Sequence, residues 1–164
     1  MKFNKTVLST LSAAVLAIVA LGLASAPAQA ANTATTTFAV SATVQATCSV
    51  SATALAFGNY TSTAASAQTS TVSVTCTTTT PYTLGLNAGT ATGATVTNRS
   101  MVNGAILLNY GLFTDSGHTT NFATLASANG TGSAVVTTVY GQIPAGQYVT
   151  PGTYNDTITA TVTY

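Results

Sequence analysis

The sequence predicts an all-β protein folded as an antiparallel β-sandwich, and three observations predict it. Past residue 30, no ten-residue window carries helical periodicity. Of the 134 residues from Ala31 to Tyr164, 34 are threonine, whose β-branched side chain favours extended backbone. Seven or eight short apolar–polar alternations follow one another, separated by Gly, Pro and Asn at the spacing of sandwich strands.

The elements run as follows. Lys2 and Lys5, the apolar run "LSAAVLAIVALGLA" (Leu11 to Ala24) and the small-x-small site Ala28-Gln29-Ala30 make residues 1–30 a secretory signal. A membrane anchor would need about 20 apolar residues and no cleavage site, so no span is expected after processing. The remainder divides into an N-terminal extension, 31–46, and one sandwich domain, 47–164. In "TTTFAVSATVQATC" (Thr35 to Cys48), Phe38, Val40, Ala42 and Val44 fall on one side and Ala39, Ser41, Thr43 and Gln45 on the other. That is a half-buried strand, yet no earlier strand and no tight turn offers it a partner.

"CSVSATALAFG" (Cys48 to Gly58) is the next strand, followed by a Ser/Thr/Ala loop around Thr61 to Ser70. "TVSVTC" (Thr71 to Cys76) puts Val72, Val74 and Cys76 on one face, and "PYTLGLNAG" groups Tyr82, Leu84 and Leu86 after a strand-starting proline. Asn103-Gly104 between apolar runs signals a hairpin, with Ile106, Leu108 and Tyr110 sharing a face of its second arm. Thr114 to Gly132 reads as long loops with one short strand near Phe122. In the last stretch Tyr154, Asp156, Ile158, Ala160, Val162 and Tyr164 alternate with Asn155 and four threonines.

Once the signal is removed, Arg99, Asp115 and Asp156 are the only ionic groups besides His118, so one cation against two anions leaves −1. A single arginine makes no nucleic-acid or anionic-lipid surface. Catalysis lacks its parts too: a nucleophile needs a base and an orienting group within reach. Asp115-Ser116-Gly117-His118 is better read as a polar turn, and Asp156 as an Asx-type turn. Zinc wants three or four ligands and calcium six or more oxygens; no metal site, cofactor site, P-loop or dinucleotide fingerprint is present, and no enzyme is expected. Cys48 and Cys76, in an oxidising compartment, have one possible pairing, worth roughly 3–4 kcal/mol on the chain-entropy model. The four Asn-x-Ser/Thr sequons past the signal, at Asn59, Asn98, Asn129 and Asn155, do not decide function.

Taken together, the alternating opening strand, "CSV", "LAFGNY", "VSVTCTTTTPYTLGLNAG", "LLNYGLFTD", "YGQIPAGQ" and the terminal "GTYNDTITATVTY" resemble the spore coat protein U domain family. Its best understood members are pilus subunits of archaic chaperone–usher systems. The chain departs from a common family feature: many members carry a tryptophan after a "YTD"-like motif, where this sequence has "FTD" with Phe113, and then Phe122. The resemblance implies an immunoglobulin-like sandwich that lacks its last strand. A periplasmic chaperone fills the groove first, then the N-terminal segment of the next subunit, with an outer-membrane usher as the assembly platform.

On that reading Phe38, Val40, Ala42 and Val44 are the donor strand, and Ile158, Ala160, Val162 and Tyr164 belong to the terminal strand beside the acceptor groove. The product is a surface pilus built head-to-tail by subunits of this kind, supporting adhesion or biofilm formation. Two other readings stay open: a coat or matrix component of the same fold, and a monomeric surface- or carbohydrate-binding sandwich with tyrosines gathered on an exposed face.

Overall fold

A computed structural model describes residues 29–164; the signal expected over residues 1–30 lies outside the described residues except for Gln29 and Ala30. The chain divides after Ser41. Residues 29–41 contain no strand and are exposed throughout. Residues 42–164 hold eight strands, β1 (Cys48–Ala52), β2 (Ser66–Cys76), β3 (Pro81–Leu86), β4 (Arg99–Asn103), β5 (Ile106–Phe113), β6 (Ala128–Asn129), β7 (Val135–Ile143) and β8 (Ala160–Thr163). They form a five-stranded sheet, ordered β1-β2-β7-β5-β4, and a three-stranded sheet, ordered β6-β3-β8. Every pairing is antiparallel, and no helix occurs among the described residues.

The expected sandwich is therefore present, and its core follows the expected alternation. Val72, Val74 and Cys76 of β2, Tyr82, Leu84 and Leu86 of β3, and Leu108, Tyr110 and Leu112 of β5 are buried, with Val139 and Ile143 of β7. Phe122 is fully buried in the same cluster. The stretch around it is no independent strand. It is pinned instead by Phe122 N–H to the Leu112 carbonyl (2.8 Å) and Leu125 N–H to the Leu84 carbonyl (2.8 Å). That stretch and β6 cover the edge of β3 opposite β8.

Three boundaries differ from the sequence reading, two for a tertiary reason and one for turn geometry. β1 ends at Ala52, where Gly58 was expected, because Thr53 closes the ladder. Its N–H reaches the Thr71 carbonyl (2.9 Å), its hydroxyl accepts the Thr71 N–H (3.0 Å), and its carbonyl accepts the Ser70 hydroxyl (2.5 Å). β2 begins at Ser66, inside the expected loop, since Ser66 to Thr71 pair with β7; a Ser/Thr/Ala run shows no apolar face, and the neighbouring ladder makes it a strand. The hairpin turn falls on Gly104-Ala105, with Asn103 opposite Ile106. Gly104 takes φ 57° at the first central position, as a II′ hairpin requires.

Candidate functional site

The two sheets present their edge strands β1 and β8 on the same side of the sandwich, and there the core is left uncovered. Val50 of β1 lies opposite Val74 and so faces inward. Nevertheless Val50 is 42% exposed, whereas Val74 is 1% exposed. Ala52, opposite the buried Val72, is exposed as well. On the other wall Ala160 and Val162 lie opposite the buried Leu86 and Leu84 but are themselves only half-buried. An inward-facing row open to water marks an uncovered sheet edge, and such an edge also carries unpaired backbone groups.

Beyond β1 the wall continues through Leu55 and Phe57. Gly141 of β7 is what lets them approach: a Cβ there would meet Leu55 Cδ2 at 2.5 Å and Phe57 Cζ at 3.0 Å. The "YGQIPAGQ" block then clamps this wall. Tyr60 donates its hydroxyl to the Pro144 carbonyl (2.8 Å) and accepts the Gln147 N–H (3.2 Å). Gly146 N–H reaches the Ser62 carbonyl at 2.7 Å. The Gln147 amide stands in for a strand after β7 has ended: it accepts the Asn109 N–H (2.8 Å) and donates to the Asn109 carbonyl (2.9 Å).

The opposite wall is the terminal segment, which changes sheets as it runs. Asn155 exchanges both backbone bonds with Val102 of β4 (2.9 and 3.1 Å). Four residues later Asn87 N–H donates to the Thr159 carbonyl (3.1 Å), and Thr159 N–H to Asn87 Oδ1 (2.9 Å). Asp156 fixes the crossing. Its carboxylate accepts the Tyr110 hydroxyl (2.7 Å), the Thr90 N–H and hydroxyl (2.8 Å each) and the Thr157 N–H (2.7 Å). Burial raises the Asp156 carboxyl, but the hydrogen bonds from Tyr110, Thr90 and Thr157 outweigh it and leave the group below the usual carboxylate range. Burial first, then the bond to Asp156, push the Tyr110 phenol well above its ordinary value.

Between the walls lies a cavity of about 360 Å³ floored by Val72, Leu86, Leu112 and Val139. It runs on into a wider cleft of about 800 Å³ beside Tyr60, Tyr148 and Tyr154. An apolar floor flanked by two strand edges offers side-chain pockets along the floor and ladder bonds along the edges, the elements that β-augmentation uses.

The anticipated residues are placed as follows. Cys48 and Cys76 are joined by a disulfide across the first rung of the β1–β2 ladder. Ile158, Ala160 and Val162 are half-buried along the groove, and Tyr164 is exposed. Phe38, Val40 and Val44 are each 84% exposed, and Ala42 is exposed too. Asp115 makes the expected turn: its carboxylate accepts the Thr119 N–H and hydroxyl and the Thr120 N–H. His118, at φ 55°, packs edge-on against Phe113 with ring centroids 5.3 Å apart.

The groove owes part of its shape to residues that sequence reasoning missed. Arg99 is fully buried, donating Nε to the Asn87 carbonyl (2.9 Å), Nη1 to Val96 (2.6 Å) and Nη2 to Leu86 (3.3 Å) and Phe122 (2.8 Å). It holds the end of β3, and with it the rung to Ala160. Being the only arginine of the chain is a signal, but no local pattern around it announces a buried guanidinium. The Tyr110–Asp156 bond joins positions 46 residues apart and had no local signature.

A model of the Spore Coat Protein U domain matches residues 34–161. Among solved structures, the chain resembles one from the CsuC–CsuE chaperone–tip adhesion subunit pre-assembly complex of the archaic chaperone–usher Csu pili of Acinetobacter baumannii. The TM-score is 0.53 at 22% identity, over 74% of this chain and 40% of that one, a likeness of fold. No curated protein matches significantly.

Proposed function

Since the chain belongs to the Spore Coat Protein U domain family, we propose that it is a non-enzymatic structural subunit of a surface pilus. It is exported and assembled by donor-strand exchange. The observation that carries this reading is the row of inward-facing, uncovered side chains, Val50 and Ala52 on one edge and Ala160 and Val162 on the other. In this reading a periplasmic chaperone occupies the groove first. The segment carrying Phe38, Val40, Ala42 and Val44 from another copy, or from a related subunit, replaces it at the outer-membrane usher. The segment carries no charge, and the one charged side chain lining the groove, Asp156, already has its carboxylate hydrogen-bonded by Tyr110, Thr90 and Thr157, so insertion strands no unpaired ionic group in an apolar site.

Burying Phe38, Val40 and Val44 contributes about 1.5–3 kcal/mol each, and ladder bonds add to it. The contact is head-to-tail and open, which yields filaments, not rings. Such a fibre supports adhesion or biofilm formation as a stalk. The test is deletion of Thr35 to Val44, with fibres scored by electron microscopy beside the periplasmic level of the subunit. The expected outcome is a folded, chaperone-held subunit and no fibres; normal fibres from the truncated chain would sink the proposal.

A further inference from the structure

Beyond Lys5, the sequence contains one residue that a trypsin-class protease recognises, Arg99, and it is followed by Ser100, not by proline. Every exposed loop of the described domain, including residues 61–65, 126–127 and 144–153, lacks lysine and arginine altogether. The single candidate bond is closed in two independent ways. Arg99 is 0% and Ser100 is 4% exposed, and both lie in β4, paired rung by rung with Tyr110 and Asn109 of β5. The guanidinium is also held by four carbonyls from β3, from the turn before β4 and from the stretch leading to β6.

A protease must bind its target as an extended, separate strand with the arginine side chain in a pocket of its own. Reaching that geometry here requires β4 to leave β5, all four carbonyls to lose their donor, and the core around Leu86 and Phe122 to open. Fraying of a loop does not do this; an edge strand and the core residues packed on it must leave the fold together.

We propose that Arg99–Ser100 is a fold-gated cleavage site, through which an arginine-specific protease destroys unfolded copies of this chain and spares folded ones. The protease supplies the nucleophile and water is the co-reactant. Hydrolysis breaks the Arg99–Ser100 amide, leaving a carboxylate on Arg99 and an α-amine on Ser100. The Cys48–Cys76 disulfide lies wholly on one side of the cut, so the two products part and cannot refold as one domain. The proposal is independent of what fills the groove.

The experiment uses protein recovered from cells, its β-structure checked by circular dichroism, and trypsin as the probe. Three samples are compared over a urea series: the wild type, the wild type with its disulfide reduced, and Ser127→Arg. Ser127 lies in an exposed loop. The expected result is no cut at Arg99 in native wild type over hours and a cleavage rate that follows the unfolded fraction through the urea transition. Reduction should shift that curve to lower urea, and Ser127→Arg should be cut at its new site while folded. Cleavage of native wild type at Arg99 as fast as of the unfolded chain would overturn the proposal. So would resistance of Ser127→Arg equal to that of the wild type, because protection would then not come from the burial of Arg99.

Discussion

Val50→Asp separates the role of the groove wall from the stability of the domain. Val50 is inward-facing yet 42% exposed, so an aspartate there can turn its carboxylate to water in the open domain, and the cost is mainly lost apolar contact. Full burial of a valine is worth roughly 1.5–3 kcal/mol; with 42% of the surface still in water, the side chain contributes about 0.9–1.7 kcal/mol on the same scale. Once a strand fills the groove, the remaining surface is buried and the sign changes. The wild type gains about 0.6–1.3 kcal/mol more, while the variant must desolvate an unpaired carboxylate, which costs several kcal/mol. Periplasmic levels of the subunit should fall modestly and fibres should disappear. Val74→Asp, at 1% exposure, is the contrast and should deplete the subunit itself. The assay is immunoblotting of periplasm beside electron microscopy of the cell surface. Normal fibres from Val50→Asp would refute the reasoning, because the wall would then face no incoming strand.

Other outcomes follow from the same structure. Replacing Cys48 and Cys76 together by serine should cost roughly 2–5 kcal/mol, read as a lower urea midpoint; an unchanged midpoint would remove the disulfide from the account. Acid should destabilise the domain. The folded carboxyls of Asp156 and Asp115 both lie below their ordinary values, Asp115 through the N–H groups of Thr120 and Thr119. Their contribution is thus full above an unfolded value near ~4 and is lost as pH falls through the folded values; Asp156→Asn should flatten that limb. At the alkaline end the raised Tyr110 phenol makes stability fall as pH climbs past the unfolded value near ~10, and Tyr110→Phe should weaken that dependence in pH-jump unfolding. His118→Ala should leave fibres and surface phenotype unchanged, since its ring packs against Phe113 and Gln142 and does not line the groove; lost fibres from a folded variant would contradict this.

What could be read from the sequence was whatever period-two alternation writes locally. "TVSVTC" and "PYTLGL" became strands with the named residues inside, and the hairpin formed one residue from where Asn103-Gly104 placed it. Long-range partners were hidden. Ser66 to Thr71 is a strand only because β7 lies beside it, and Tyr154 to Thr159 alternates like a strand but spends its length crossing between sheets. Composition does not sort the tyrosines either: Tyr82 and Tyr110 are core, whereas Tyr148 is 84% exposed on the loop clamped by Tyr60 and Gln147. The groove was legible only as a mismatch, a chain with an unpaired strand at its start; its walls depend on the Gly141 approach and the Asp156 latch, which no local pattern encodes.

The position of the disulfide decides how the domain carries load. A pull on the N-terminal segment enters at Cys48, and the covalent bridge passes it to Cys76 at the far end of β2. Residues 49 to 75 are thereby shunted out of the force path, including the groove wall from Ala52 to Phe57. Tension instead leaves Cys76 along the backbone towards β3, whereas an unbridged β1 would be peeled from β2 one rung at a time. A chain so wired can be stretched from its N-terminus without the groove wall being drawn away from the strand that lies against it.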